Sequence, residues 1–159
     1  MSSLSRILLV DDDPADAKLA LLALAEVGLD RQTLVLHDGQ EALDWLLARG
    51  INRDRAPGHP AVILLDVKMP RLSGLEVLAQ IRAAPDLRLI PVVMLSASAQ
   101  ERDVRRAYEL GANGYVIKSI DFHNSAASLQ ALGRYFLLAN EPPPGCLRPP
   151  RVVSSQVTS

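Results

Sequence analysis

Short runs of apolar residues recur along the chain and predict the strands of a buried sheet. Four runs have strand length and no polar alternation, which is typical of strands covered on both faces, as in a parallel sheet: Ile7–Val10, Ala61–Leu65, Pro91–Leu95 and Gly114–Ile117. A fifth, more marginal run is Thr33–Leu36. The pattern therefore predicts five strands.

Amphipathic segments between these runs predict helices. The first helix is expected from Pro14 to about Val27, after Asp13 as a typical N-cap, and the last from about Asp121 to Ala139. Strand and helix alternate five times, which predicts a doubly wound α/β fold, (βα)5, with a parallel sheet. On the first helix the expected inward stripe is Leu21, Leu24, Ala25 and Gly28. Three middle helices are expected to begin with capping pairs: Asp38 with Glu41, Ser73 with Glu76, and Ser98 with Glu101.

Composition narrows the function classes. The 159 residues suit one domain, and a net charge of −1 with 4% aromatic residues gives no basis for nucleic-acid or anionic-membrane binding. No apolar run approaches the ~20 residues of a membrane span, and the polar segment Met1–Arg6 does not resemble a secretory signal. One cysteine excludes an intrachain disulfide framework and a cysteine-based zinc site. We therefore expect a cytoplasmic protein that binds neither nucleic acid nor membranes.

The end of the chain departs from the alternating pattern. Residues 140–159 hold five of the eleven prolines, so we expect an extended, mobile tail, with packing on a partner as the alternative. Cys146 in this tail is expected to be exposed and incidental. Trp45 is expected to pack its own helix. The three histidines, at positions 37, 59 and 123, are not expected to be metal ligands.

Polar groups follow the strands where a parallel sheet binds its ligands, outside the carboxyl ends. Asp11, Asp12 and Asp13 follow the first strand, and Asp66 follows the third. Ser96 follows the fourth strand and Lys118 the fifth. Carboxylate oxygens without histidine or cysteine suit Mg²⁺ or Mn²⁺. A carboxylate nucleophile beside a metal and an ammonium group is a workable site for phosphoryl transfer.

These motifs resemble the receiver domain of two-component response regulators, the CheY-like family. The resemblance covers residues 5–139 and is carried by an acid pair after the first strand, Asp66-Val67-Lys68-Met69-Pro70 with Gly74, Ser96-Ala97, and a final Gly114-Tyr115-Val116-Ile117-Lys118. It implies a flavodoxin-like strand order 2-1-3-4-5. It also implies a regulatory phosphoacceptor rather than an enzyme, phosphorylated by a histidine kinase with Mg²⁺ or Mn²⁺.

The resemblance assigns a role to each matching residue. Asp66 corresponds to the phosphoacceptor. The implied metal ligands are Asp11, Asp12, Asp66 and the backbone carbonyl of Lys68. Ser96 and Lys118 correspond to the groups that bind the phosphoryl group, and Ser96 with Tyr115 to the switch pair. The family usually has proline after the lysine, joined by a cis bond, whereas this chain has Ser119. A cis bond there would cost about 2.5–4 kcal/mol, so the loop is expected either to be trans and shifted or to hold strain.

A narrower resemblance points to a partner. The loop before the third strand, the end of the last helix and the segment Asn140–Pro144 are similar to stand-alone regulators paired with bacterial phytochrome kinases. That group implies a homodimer, which we expect to use the fourth and fifth helices, the fifth strand and the tail. The run Tyr135-Phe136-Leu137-Leu138 points around the whole helix, so part of it faces outward. The candidate interface residues are Tyr135, Phe136 and Leu138.

Two other function classes remain open at this stage. A pseudo-receiver would serve only as a dimerisation or docking scaffold and would not be phosphorylated. A haloacid dehalogenase-like phosphatase would use an Asp-x-Asp motif, which Asp11-Asp12-Asp13 formally contains. That class usually carries a cap domain, for which this length leaves no room.

Overall fold

The computed structural model describes residues 5–149 and contains one five-stranded, wholly parallel sheet. The strands lie in the order β2-β1-β3-β4-β5, which confirms the expected order. Their bounds are β1 Ile7–Val10, β2 Thr33–Leu36, β3 Val62–Asp66, β4 Val92–Ser96 and β5 Gly114–Ile117. The three inner strands, β1, β3 and β4, are buried along their whole length, as their uninterrupted apolar runs predict.

In the described part of the chain, five helices cover the two faces of this sheet. They are α1 Pro14–Ala25, α2 Gly39–Leu46, α3 Gly74–Ala83, α4 Glu101–Glu109 and α5 Phe122–Arg134, which continues into a π-helical turn at Tyr135–Ala139. Short 3-10 turns occupy Asp30–Gln32 and Gly50–Asn52. One apolar cluster joins α1 and α5 to the sheet, and a second joins α2, α3 and α4 to its other face. Among the described residues, no helix has both the length and the apolar composition needed to cross a membrane.

The helix caps agree with the sequence in three of the four predicted cases. Asp13 accepts hydrogen bonds from the backbone N–H groups of Ala15 and Asp16. Asp38 caps α2 and Ser73 caps α3 in the same way. The prediction for Ser98 is wrong, because α4 begins after Gln100. The Ser98 hydroxyl is instead bonded to the Asp103 carboxylate at 2.6 Å.

The buried face of α1 also differs from the expected stripe. Leu24 is buried, but Ala25 and Gly28 are exposed, and the inward face is completed by Ala17, Ala20 and Ala23. These small residues let α5 approach closely, and the Gln130 side chain reaches the Ala23 carbonyl oxygen at 2.9 Å. Apolar residues occur on every side of this helix, so periodicity alone did not identify the stripe that faces the rest of the chain.

The tail forms contacts that the sequence did not predict. His59 donates its backbone N–H to the Gly145 carbonyl at 2.9 Å, and Leu147 donates to the His59 carbonyl at 2.7 Å. Cys146 is buried against the α2–α3 face and burial raises its pKa to about 11. The expectation of an exposed Cys146 is therefore wrong, and the tail packs on its own chain as far as Leu147. Residues 150–159 lie outside the described part.

The end of α5 is tied to the start of the sheet by a buried arginine. Arg6 donates a side-chain hydrogen bond to the Leu137 carbonyl at 2.9 Å and another to Gln32 at 3.1 Å. Phe136 and Leu137 are buried in the α1–α5 cluster. Phe136 therefore belongs to the core of this chain. It is not part of the exposed surface that was predicted from the sequence.

Candidate functional site

Three carboxylates meet at the carboxyl edge of the sheet. Asp11 and Asp12 follow β1, and Asp66 ends β3. The two strands are neighbours in the sheet, with Val10 paired to Leu65, so their ends lie side by side. One carboxylate oxygen from each acid lies within 4.8 Å of the others. The structure therefore brings together the acids that the sequence predicted would converge.

Lys118, immediately after β5, neutralises part of this cluster. Its Nζ lies 3.1 Å from Asp11 Oδ2 and 3.4 Å from Asp66 Oδ2. A third carboxylate, Asp16 in the first turn of α1, lies 3.5 Å away. Asp16 was not among the site residues predicted from the sequence, and nothing in its position alone indicated contact with a residue 102 positions away.

Burial and charge compete at these groups. Burial raises the pKa of Asp66 to about 6, and the Asp11 carboxylate adds to the increase while Lys118 opposes it. Burial works against the Lys118 ammonium, but the Asp66 and Asp11 carboxylates outweigh it and raise the pKa of Lys118. The site thus holds more negative charge than one lysine can offset, which favours a bound cation.

The donor groups fit a hard divalent cation. The cluster offers only oxygen ligands, as Mg²⁺ and Mn²⁺ prefer. Asp11 is already held from two sides, because its Oδ1 accepts the Asp13 backbone N–H and its Oδ2 faces Lys118. Asp12 is half-buried. Lys68 lies two residues past Asp66 with its side chain exposed to solvent.

The loop that carries Lys68 is closed by Gly74. The Gly74 backbone N–H donates to the Val67 carbonyl at 2.9 Å. A Cβ atom at Gly74 would lie 2.0 Å from the Asp66 carbonyl oxygen, so only glycine fits. The glycine that the sequence singled out in its motif is therefore required by the close approach of α3 to the backbone of Asp66.

Ser96, Ser98 and Tyr115 form a chain of hydrogen bonds beside the acids. Ser96 is buried at the end of β4, and its hydroxyl accepts the Ser98 backbone N–H at 3.0 Å. The Tyr115 hydroxyl donates to the Ser98 carbonyl at 2.9 Å. Lys118 donates its backbone N–H to the Ser96 carbonyl at 2.7 Å. The Ser96 side chain, the Tyr115 hydroxyl and the Lys118 backbone are thus linked by hydrogen bonds.

The peptide after Lys118 is trans. No cis bond occurs within residues 5–149, which decides between the two conformations that the sequence left open. The Ser119 backbone N–H donates to the Ser125 hydroxyl at 3.0 Å, and this hydroxyl donates in turn to the Ser119 carbonyl at 3.0 Å. Two serines therefore hold the start of α5 where proline is usual.

The expected interface residues lie far from this site. Leu137, beside them, contacts Arg6 at the opposite edge of the sheet. Tyr135 and Leu138 are 53% and 70% exposed, whereas Phe136 is buried.

His37 does contact the site: its Nδ1 lies 3.0 Å from the Asp11 backbone carbonyl oxygen. The sequence offered no signal for that contact beyond the position of His37 after β2.

Comparisons with known proteins agree with this geometry. Residues 7–130 match the response regulator receiver domain family. Response regulator Rcp1 from Synechocystis is 38% identical over 131 residues, covering 82% of this chain and 88% of Rcp1. A probable methanogenesis regulatory protein, FilR2 from Methanothrix harundinacea, is 38% identical over 138 residues, or 86% of each chain.

Solved structures extend the comparison. The phosphorylated cyanobacterial phytochrome response regulator RcpA has a TM-score of 0.81 and 33% identity, covering 89% of this chain and 99% of RcpA. The bacteriophytochrome response regulator RtBRR is 49% identical with a TM-score of 0.71, covering 89% and 86%. A Mn²⁺-bound form of Rcp1, with a TM-score of 0.78 and 36% identity, covers 86% and 97%. The chain belongs to the response regulator receiver domain family.

Proposed function

We propose that Asp66 accepts a phosphoryl group from a histidine kinase in a reaction that requires Mg²⁺. The observation that carries this proposal is the meeting of Asp11, Asp12 and Asp66 within 4.8 Å, with Lys118 3.4 Å from Asp66. Carboxylate oxygens for a metal, a nucleophile and a positioned ammonium are the groups that phosphoryl transfer uses. The chain then acts as a regulator, and its own chemistry is limited to gaining and losing the phosphoryl group.

The phosphoryl group passes directly from a histidine of the kinase to Asp66. A carboxylate oxygen of Asp66 attacks the phosphorus of a kinase phosphohistidine. The new oxygen–phosphorus bond forms as the nitrogen–phosphorus bond breaks, and the imidazole keeps the electron pair and takes up a proton from solvent. When bound at Asp11, Asp12, Asp66 and the Lys68 carbonyl, Mg²⁺ supplies positive charge to the phosphoryl oxygens. Lys118, whose Nζ lies 3.4 Å from Asp66 Oδ2, adds a second positive charge.

Phosphorylation changes the charge balance at Ser96 and Lys118. The phosphoryl group adds about −1.5 to −2 charge and strong acceptor oxygens. The Ser96 hydroxyl, which accepts from Ser98 here, is drawn towards these oxygens as a donor. Its loop carries the carbonyl to which Tyr115 is bonded, so movement at Ser96 reaches Tyr115 and α4. This coupling converts charge at the site into a changed face.

The partners follow from the same argument. An apolar cavity of about 360 Å³ beside Lys118, lined by α1, the β5–α5 loop and α5, offers a docking surface for the kinase near Asp66.

A bacterial phytochrome is the proposed kinase, since RcpA and RtBRR are named as phytochrome and bacteriophytochrome regulators. A homodimer on α4, β5 and α5 is also proposed, with Tyr135 and Leu138 as exposed apolar contacts. A cytoplasmic location is part of the proposal.

Phosphotransfer from a panel of kinases tests the proposal, with a bacterial phytochrome kinase included. The wild type is expected to take up phosphate from the phytochrome kinase, with Mg²⁺ and not with EDTA. Asp66→Asn is expected to take up none and to keep its fold. Asp54→Asn, which changes a surface acid in the loop before β3, serves as the matched control and is expected to behave as the wild type. Persistent phosphorylation of Asp66→Asn would remove the acceptor assignment.

A further inference from the structure

Residues 37–39, which comprise the loop after β2 and the first residue of α2, contact both loops that carry the proposed metal ligands. On one side, His37 Nδ1 lies 3.0 Å from the Asp11 backbone carbonyl oxygen. Because a carbonyl oxygen only accepts hydrogen bonds, Nδ1 carries the hydrogen and is the donor of this hydrogen bond. His37 therefore ties the β2–α2 loop to the β1–α1 loop at the first acid of the site.

On the other side, Asp38 is paired with Arg71 in the loop between β3 and α3. One oxygen of Asp38, Oδ1, accepts the backbone N–H groups of Gln40 and Glu41 as the cap of α2. The other, Oδ2, accepts a hydrogen bond from the Arg71 guanidinium. Arg71 and the Glu41 N–H hold the pKa of Asp38 below its usual range. Both oxygens of Asp38 therefore have fixed partners.

The β3–α3 loop has two points of attachment, and Lys68 lies between them. Its base is closed by the bond from Gly74 N–H to the Val67 carbonyl. Its far end carries Arg71, whose φ of 65° lies in the left-handed region that an arginine rarely adopts. Leu72, the next residue, packs so closely that a Cβ at Gly39 would lie 3.0 Å from its carbonyl oxygen. The loop is thus held against α2 at its far end.

We propose that residues 37–39 brace the metal site, and that the Arg71–Asp38 ion pair sets its divalent-cation affinity by positioning the Lys68 carbonyl. This inference rests on the proposed function, because it assumes a metal at the acid cluster. Mg²⁺ demands near-octahedral geometry, so a small displacement of one backbone ligand weakens binding. Neither Arg71 nor Asp38 is proposed to touch the metal, and both are positioning residues.

Charge alone predicts a different outcome from positioning. Removing the Arg71 cation makes the region more negative, which by itself strengthens binding of a divalent cation. Removing the Asp38 charge by itself weakens binding. Positioning predicts that both changes weaken binding, since each one frees the same loop. It also predicts that the two changes are not additive, because the second removes a contact that is already lost.

Isothermal titration with MgCl₂ at physiological salt measures this difference directly. Arg71→Gln and Asp38→Asn are each expected to weaken Mg²⁺ binding about threefold to tenfold. The double variant is expected to bind no more weakly than the more affected single variant. Arg71→Lys, which can keep the ion pair, is expected to recover part of the affinity. Unchanged or tighter binding by Arg71→Gln, or additive losses in the double variant, would overturn the brace.

Three controls separate this result from other causes. Arg105→Gln breaks a comparable exposed pair with Glu101 on α4, at 2.9 Å, and is expected to bind Mg²⁺ as the wild type does. Asparagine keeps the helix-capping oxygen of Asp38, so thermal unfolding of Asp38→Asn is expected to change little. Asp12→Asn is expected to weaken binding through the proposed ligand itself. If Asp12→Asn weakens Mg²⁺ binding and Arg71→Gln does not, only the proposed positioning role of the Arg71–Asp38 pair is refuted. A wild type that binds no Mg²⁺ would overturn both that role and the proposed function.

Discussion

Asp66 holds its proton more tightly than an ordinary aspartate because burial and Asp11 together outweigh Lys118. Its pKa of about 6 lies well above the usual value near 4. Between these two pH values the folded chain keeps a proton that the unfolded chain has released. The free energy of unfolding therefore falls as pH rises through this range and stays lower above it. At neutral pH the ionised Asp66 carboxylate therefore lowers the free energy of unfolding unless a cation is bound.

Asp66→Asn is accordingly expected to raise stability when no divalent metal is present. At pH 8 in EDTA the gain should be about 2 kcal/mol, or several degrees in Tm. The gain should shrink towards pH 4, where the wild-type carboxyl is also neutral, and Mg²⁺ should stabilise only the wild type. Thermal unfolding across pH checks this. Asp54→Asn, an exposed acid, should show no such trend, and a pH-independent gain for Asp66→Asn would contradict the assignment.

The elements that carry the site were predictable because each one depends on local pattern. Uninterrupted apolar runs predicted the strands. Asp66 and Ser96 end β3 and β4, and Asp11 and Lys118 come directly after β1 and β5. The contacts between distant segments were not predictable in this way. Asp16 meets Lys118, and His37 meets the Asp11 carbonyl, only because the sheet order places their loops together. A single sequence carries no direct record of such pairings.

Two element-level errors have local physical causes. Ser98 has the residue type of a helix cap, but its hydroxyl bonds to Asp103 inside α4 and its carbonyl accepts from Tyr115. The helix therefore begins two residues later than a capping pattern alone indicates. On α1 apolar residues occur on every side, so periodicity alone does not identify the face of small alanines that lies against α5. Both errors fall where another element overrides a local preference.

Gly74 offers a test at the scale of elements. Gly74→Ala would place a Cβ 2.0 Å from the Asp66 carbonyl oxygen, so α3 must move away from β3. We expect a loss of at least about 3 kcal/mol in the free energy of unfolding. Gly114→Ala is the matched control, since its Cβ would meet Val93 at an ordinary 3.5 Å. Denaturant unfolding of both variants checks this, and equal losses would contradict the account of Gly74.

In the whole molecule, the tail packs on the folded domain as far as Leu147. Pro142 and Cys146 are buried, and the backbone around Cys146 pairs with His59 before β3. The proline content led the sequence to predict a mobile segment, because composition reports what a tail cannot form by itself. It does not report which surface of the same chain can hold it.

Truncation after Asn140 is expected to lower the free energy of unfolding by about 1–3 kcal/mol, through lost apolar burial and backbone hydrogen bonds. Truncation after Pro149 keeps every contact of the described residues and is the matched control, expected to leave stability nearly unchanged. Denaturant unfolding measures both. Sedimentation of the same two variants measures their oligomeric state. It shows whether the proposed dimer on α4, β5 and α5 also needs the tail. A truncation after Asn140 with wild-type stability would contradict the packing of the tail.

Chemical mapping of the modified residue shows whether Asp66 becomes phosphorylated. The wild type is incubated with Mg²⁺ and a small phosphodonor, then treated with borohydride, which reduces an aspartyl phosphate to homoserine. Peptide mass spectrometry then locates the change. The assignment of Asp66 as phosphoacceptor predicts homoserine at position 66, dependent on Mg²⁺ and absent after EDTA treatment. Homoserine at Asp11 or Asp12, or no modification under any of these conditions, would contradict it.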